Sequence, residues 1–396
     1  MHPVIQFLKD NTPNGFGLLQ SVHGVKATRS TVYPELVNLN YDQIDAREDD
    51  ELACLCRGLI VCDYGDGDYF IVAHPFPRFF NAGSSHAAPL NWDAPVVFEE
   101  KLDGTLCVVY YWKGDWRVAT RGNPDANIPC ADGLTFAQKF CRAAQVGSVW
   151  AALFNLFGRE PYAEVTYCFE LVGPDNQIVV PYENSRIVFL SAFAVNYSPQ
   201  LPPATEMTEH FVRFILEMDR INPSRPSTLP DEYGFSSLND AVDWLEENTT
   251  GLDLEGFVAV DSNGNRVKVK SKKYLTIART ISRITTQEDM LECIIRGIDD
   301  DVMAWVPESR RLEIESLKMK FSSWMAGLDK QLDEYQQNHA VVLSDKSSRK
   351  AYALWCQNNN IPMAPAMFPG TVREWIDSQK ELKPSFLSQL LRYIGA

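Results

Sequence analysis

Apolar and polar residues alternate in short runs to about residue 280; after that, apolar residues recur three and four apart. The first period belongs to strands and the second to helices, so two architectures follow each other along one chain. "GLIVCDYGDGDYFIVAH", "TLCVVYYWKGDWRVATRG", "AEVTYCFELVG" and "IVVPYENSRIVFLSAFAV" read as strands joined by Gly and Asp turns, hence hairpins and antiparallel sheet. Two helices interrupt them. Met207, Phe211, Phe214, Ile215 and Met218 share helical spacing, and "SSLNDAVDWLEENTTG" carries a serine cap and a terminal Gly251. "NPSRPSTLP" is a connector. In the tail, Leu317, Phe321, Trp324, Leu328, Leu332 and Tyr335 mark one long helix, with Pro307 suited to its first position. "TQEDMLECIIRG", "KSSRKAYALWCQNN", "TVREWIDSQK" and "SFLSQLLRYIG" continue in that style. The expectation is an α+β region over 1–280 and a separate all-helical domain over 281–396.

Charge narrows the partners. The net charge is −15, with 14 basic and 16 acidic residues after Thr280 and 23 and 36 before it. Bulk charge does not attract a polyanion, so any phosphate contact needs a local cluster of lysine and arginine. There is no run of 18 apolar residues and no signal-peptide pattern at the N-terminus, so neither a membrane span nor secretion is expected. Nine cysteines (Cys54, Cys56, Cys62, Cys107, Cys130, Cys141, Cys168, Cys293, Cys356) form no CxxC pair. They read as reduced core thiols in a cytosolic compartment.

Lys101 lies in "FEEKLDGTLCVVYYW", between two stretches that read as buried strand. A lysine there is either a solvated turn residue or a nucleophile. In "LEGFVAVDSNGNRVKVKS", two alternating runs flank Asn263-Gly264, a two-residue turn signal. That turn would set Ala259 opposite Lys268 and Phe257 opposite Lys270, with Glu255 diagonal to Lys270 on the same face. One carboxylate and two lysines on one face suit a nucleotide phosphate with a divalent cation; an edge strand protected by lysines has the same pattern. A slip of one residue would separate the three groups.

The order Lys101-x-Asp103-Gly104, then Glu170 in "FELVG", Glu255 in "EGFV", and Lys268 and Lys270 in "KVK" resembles the covalent nucleotidyltransferase superfamily of polynucleotide ligases and capping enzymes. Those enzymes share KxDG, a Glu-bearing strand, EGxV and KxK. Within them the chain most resembles the phage T4 RNA ligase 1 family. Arg57 in "CRGLIV", Phe79, Phe80 and Asn81 in "PFPRFFNAGSSH", the strand "FELVGPDNQIVV", and Tyr274 four residues past Lys270 carry the likeness, roughly from Arg57 to Tyr274. Arg78 and Arg121 stand where the family has lysines, which keeps the charge but changes its geometry. Asp300 and Asp301 stand where it has an acidic pair; a solvated interhelix turn would look the same.

The resemblance implies an adenylyltransferase (nucleotidyltransferase) domain of antiparallel sheets with flanking helices over 1–280, and an all-helical domain over 281–396 that contacts RNA. It implies an ATP-dependent RNA ligase. Lys101 would attack the α-phosphate of ATP, AMP would pass to the 5′-phosphate of a single-stranded RNA end, and a 3′-hydroxyl would expel it. By the same resemblance Lys268 and Lys270 meet the α-phosphate, Arg57 and Arg121 the pyrophosphate, and Arg78 and Tyr274 the nucleotide. Phe80 packs on the nucleotide or in the core, and Asp103 and Gly104 shape the turn that aims Lys101. Glu170 and Glu255 would hold Mg²⁺, with Mn²⁺ as the alternative, and Asp300 and Asp301 would add to the metal set. The implied partner is the tRNA anticodon loop, in a monomeric enzyme acting after a polynucleotide kinase–phosphatase, in the host cytoplasm if the source is a phage. Arg310, Arg311, Lys346, Arg349 and Lys350 are the tail's candidates for RNA contact, although such runs are more often solvated faces. The rival readings are a catalytically inactive RNA-binding protein of the same fold, and a capping enzyme or DNA ligase, both of which would want an OB-fold after "KVK".

Overall fold

A computed structural model describes the chain except for residues 66, 127–128, 131–132, 196–203, 223–227, 283, 304–305, 307, 340–343, 367, 369, 380–381 and 396, and the side chains of 300–301, 308–309 and 363–364. Pro307, most of "NPSRPSTLP", and the side chains of Asp300 and Asp301 therefore lie outside the described residues. Two compact units result, Met1–Leu275 and Thr276–Ala396.

The strands of the first unit are β1 (Val25–Arg29), β2 (Leu36–Tyr41), β3 (Arg57–Asp63), β4 (Tyr69–Ala73), β5 (Phe80–Asn81), β6 (Val97–Glu100) and β7 (Thr105–Trp112). They continue with β8 (Asp115–Thr120), β9 (Val165–Val172), β10 (Arg186–Val195), β11 (Ala204–Glu206), β12 (Glu232–Tyr233), β13 (Gly256–Val260) and β14 (Arg266–Lys270). Three sheets form, in the orders β1-β2-β3-β4, β11-β10-β9-β7-β8 and β12-β6-β13-β14-β5. Among the described strands the pairing is antiparallel apart from β14 with β5, which is parallel. Ile178, Val179 and Val180 belong to no strand; β10 starts only at Arg186.

The flanking helices are α1 (Pro3–Asp10), α2 (Gly15–His23), α3 (Glu51–Leu55), α4 (Phe136–Ala143), α5 (Val149–Phe157), α6 (Thr208–Ile221), α7 (Leu238–Asn248) and α8 (Lys272–Ser282), inside which the two units divide. Apolar spacing on α6 buries Phe211 and Ile215 against Phe157 and Phe189, in the core under the second sheet. Ser237 caps α7 by accepting from the Asp240 amide, and the helix stops at Asn248, ahead of Gly251.

The second unit contains α9 (Gln287–Arg296), α10 (Asp299–Met303), α11 (Glu308–His339), α12 (Lys346–Asn358), α13 (Met363–Ala366), α14 (Val372–Asp377) and α15 (Pro384–Ile394). Its described residues contain no strand. Leu317, Phe321, Leu328 and Leu332 form the buried stripe of α11, with Trp324 and Tyr335 packed beside it. Arg310 pairs with Glu313 at 2.7 Å, while Lys346, Arg349 and Lys350 are exposed. No described helix is long and apolar enough to cross a membrane. All nine cysteines are free.

The β13–β14 hairpin corrects the sequence reading. Gly256 pairs with Lys270, Val258 with Lys268 and Val260 with Arg266, one residue away from the two-residue-turn register. Asp261 closes a loop of residues 262–264 instead. Its backbone N–H donates to Asn265 O, and its Oδ1 accepts from the amides of Asn263 and Asn265, each at 2.9 Å. Gly264, at φ +79°, supplies the left-handed residue that a three-residue hairpin loop needs. Asp261 Oδ2 also accepts from the Asn91 amide at 2.8 Å, a tertiary bond that sequence spacing does not reveal. The slip sends Phe257 and Ala259 into the core, both fully buried, rather than toward the lysines.

Candidate active site

Lys101 follows β6 directly, and its amide donates to Gly256 O at 2.8 Å, which ties it to the start of β13. Its Nζ donates to Glu255 Oε2 at 2.7 Å, and Lys270 Nζ lies 2.7 Å from Glu255 Oε1. One carboxylate, 3% exposed, thus bridges two ammoniums. The slipped register did not separate them because Glu255 precedes the strand and Gly256 turns the backbone, with φ +148°. A Cβ on Gly256 would stand 2.0 Å from Val269 O, so only glycine allows this approach.

The "LDG" turn behind Lys101 is held from three sides. Asp103 Oδ2 accepts from the amides of Val179 and Val180 at 2.7 and 2.8 Å, and Oδ1 from the Tyr274 hydroxyl at 2.7 Å. The Asp103 amide donates to the Tyr182 hydroxyl at 3.0 Å. Residues 178–180 are apolar without forming a strand, and the amides of Val179 and Val180 serve this carboxylate instead. Gly104 lies against β9, where a Cβ would come within 2.3 Å of Leu171 O. Asp103 and Tyr274 therefore fix the turn that aims Lys101.

Lys101 opens into a cleft of about 540 Å³, lined also by Arg57, Phe76, Phe79, Glu99, Glu100, Leu102, Glu170, Leu190, Val258, Arg266 and Lys268. Burial, with Arg57, Lys101 and Lys270 close by, brings the Lys268 ammonium down to about 7. Burial pushes the Glu170 carboxyl up to about 7 against the pull of Lys101, and does the same to Glu99 against Arg266. Arg57 stacks on Phe76, 4.8 Å from the ring centre, and its Nη1 is buried with no hydrogen-bond partner among the described residues. A buried guanidinium N–H on the wall of a polar cleft asks for an anionic oxygen.

The other expected residues divide. Arg78 and Arg121 both lie over the Tyr41 ring, at 4.6 and 5.2 Å, outside the residues that line the cleft; Arg78 also pairs with Glu48 at 3.1 Å. Arg78 Nη1 is likewise buried with no hydrogen-bond partner among the described residues. Phe80 does not line the cleft and packs between Arg78 and His86. Phe79 lines it instead, beside Phe76, with Lys268 Nζ 4.6 Å from the Phe79 ring centre. Strand alternation is the signal that separates such neighbours, and it also marks Arg266 on the face of Lys268 and Lys270. Glu170 makes no hydrogen bond or ion pair among the described residues, whereas both oxygens of Glu255 are taken. No three of His, Cys, Asp and Glu converge among the described residues. A divalent ion here would take Glu170 and otherwise depend on ligand oxygens and water.

Two lysines thus flank one buried glutamate, and a third, Lys268, lines the cleft beside Lys101. Residues 55–274, more than half of the chain, match the profile of a family described as RNA ligase, and the chain belongs to that RNA ligase family. It is 26% identical to an RNA ligase of Rhodothermus phage RM378 over 351 residues, 76% of this chain and 77% of that one. It is also 26% identical over 283 residues to a protein of Autographa californica nuclear polyhedrosis virus named a bifunctional polynucleotide kinase/RNA ligase. That match takes in 69% of this chain but spans only 38% of the viral protein. An archaeal ATP-dependent RNA ligase of known structure is similar at a TM-score of 0.43, with 16% identity over 83% of each chain.

Proposed function

We propose that the chain is an ATP-dependent RNA ligase that joins 5′-phosphate and 3′-hydroxyl ends of single-stranded RNA through a covalent Lys101–AMP. The observation that carries this reading is the Lys101–Glu255–Lys270 bridge beside a cleft lined by Lys101, Lys268 and Arg57, whose Nη1 has no hydrogen-bond partner among the described residues. Lys101 attacks as the neutral amine. An N–P bond forms to the α-phosphorus, the P–O bond to pyrophosphate breaks, and the nitrogen's proton passes to Glu255, its hydrogen-bond partner. Lys268 and Lys270 neutralise charge on the α-phosphate, and Arg57 meets phosphate oxygens with its free Nη1. Arg78 and Arg121, paired over Tyr41, supply positive charge for the leaving pyrophosphate. A 5′-phosphate of RNA then displaces Lys101 from AMP, and a 3′-hydroxyl displaces AMP from that RNA.

Mg²⁺ or Mn²⁺, bound with ATP, would neutralise the triphosphate, with Glu170 as the carboxylate free to hold the ion or its waters. The named kinase activity of the viral relative supports a place downstream of end repair, and the family resemblance supports breaks in tRNA anticodon loops as the substrate. In this reading the helical unit contributes RNA contacts.

The test is incubation with α-labelled ATP and Mg²⁺, denaturation, and detection of label on the chain, beside Lys101→Ala. Label on the wild type that the variant lacks supports the proposal. A wild type free of bound AMP that takes no label overturns it, and label from GTP alone would indicate a capping enzyme.

A further inference from the structure

The first unit carries a second, larger concavity of about 1390 Å³, lined from α4, α5, α6 and the start of β10. Its chemistry differs from that of the chain as a whole. The sequence has 52 acidic residues, yet among the described residues neither Asp nor Glu lines this groove. Its polar residues are Gln145, Asn155, Asn222, Thr228 and Arg186. Phe154 on its wall is 39% exposed and stacks on Trp150, 41% exposed, with ring centres 5.0 Å apart and planes 20° from parallel. A parallel pair of exposed rings offers a flat face to a third ring.

Arg186 borders the groove from the sheet face opposite to Ile187. In the register of β10 and β9, Arg186 pairs with Val172 and Val188 with Glu170. Alternation therefore puts Arg186 on the sheet face that carries Glu170, roughly 7 Å further along the strand. Its charge reaches Glu100 on the cleft wall, whose carboxyl burial and Asp231 raise and Arg186 lowers. Arg186 is half-buried, and among the described residues its guanidinium makes no hydrogen bond or ion pair.

We propose that this groove holds the single-stranded RNA leading to the reacting 5′-phosphate, with a base stacked on the Phe154–Trp150 pair and Arg186 on a backbone phosphate beside the cleft. The inference rests on the ligase reading of that cleft. Aromatic faces and phosphate contacts accept any base, so the groove fits ends of many sequences.

The test is fluorescence anisotropy of a labelled, 5′-phosphorylated single-stranded RNA of about 12 nucleotides, titrated with the full chain over a series of salt concentrations. Phe154→Ala is expected to weaken binding at least about 5-fold, and Phe154→Tyr to retain it. Arg186→Ala is expected to weaken binding and flatten the slope of log affinity against log salt by about 0.7, and Arg186→Lys to keep the slope. ATP labelling of the wild type, measured in parallel, separates this inference from the ligase reading. If the wild type takes label while Phe154→Ala and Arg186→Ala bind RNA as it does, the groove is wrong and the ligase stands. If the wild type takes no label but loses RNA through these substitutions, the groove stands and the ligase reading falls. A wild type that binds no RNA overturns the groove.

Discussion

Lys101 and Glu255 are 154 residues apart in the chain and 2.7 Å apart in space. The same carboxylate holds Lys270, so it fixes two ammoniums brought by different strands of one sheet. Glu255→Gln keeps the shape but removes the charge and the proton acceptor. Single-turnover labelling by ATP is expected to slow by about 100-fold or more, the usual loss when one preorganised electrostatic partner is removed. A loss under about 3-fold would mean that Glu255 is only structural.

Phe79 and Phe80 are adjacent and serve different places. Phe79 lines the cleft beside Lys268, and Phe80 packs with Arg78 and His86. Phe79→Ala is expected to raise the ATP concentration needed for half-maximal labelling by about 10-fold, in line with roughly 1–2 kcal/mol of ring contact. Phe80→Ala should act mainly on thermal stability. The reverse assignment would show in the same two measurements.

Glu170 makes stability depend on pH. Its carboxyl sits at about 7 in the fold against 4.5 ordinarily, so between those values the folded chain holds a proton that the unfolded chain has released. It contributes stability that is complete below 4.5 and lost as pH rises through about 7. Lys268, held at about 7 instead of 10.5, works oppositely: its contribution is present above 10.5 and lost as pH falls through about 7. Glu170→Gln removes the first dependence alone. Its melting temperature relative to wild type is expected to climb between about pH 5 and pH 8; a flat difference would refute the shift.

Gly256 carries a prediction about backbone. Its φ of +148° and the 2.0 Å approach of Val269 O leave no room for a methyl group. Gly256→Ala is expected to cost about 2–4 kcal/mol in denaturant unfolding and to abolish labelling, because Glu255 loses its place beside Lys101. Full labelling in a stable Gly256→Ala protein would contradict this account.

Tyr274 anchors Asp103 by its hydroxyl. Tyr274→Phe takes one of three hydrogen bonds from a buried carboxylate and is expected to cost about 1–3 kcal/mol. Labelling should stay within about 10-fold of wild type, since Val179 and Val180 still hold the other oxygen. Asp103→Ala, which frees the whole turn, should lose far more.

Periodicity and residue chemistry were enough to divide the chain into β-rich and helical parts. Alternation and charge gathered Glu255, Lys268 and Lys270 on one hairpin, and the resemblance of the motifs added Lys101 and Glu170 to the same site. Register was not local. Asp261 reaches Asn91 and so selects a three-residue loop over the two-residue turn that Asn263-Gly264 suggests. Glu255 then reaches Lys270 only because Gly256 lets the backbone turn against Val269. The choice of Phe79 over Phe80, the binding of Asp103 by Tyr274 and by amides near residue 180, and the crossing of Arg78 and Arg121 over Tyr41 are likewise tertiary. Each depends on groups distant in sequence meeting at hydrogen-bond or van der Waals range, and spacing along one strand holds no information about what arrives from another.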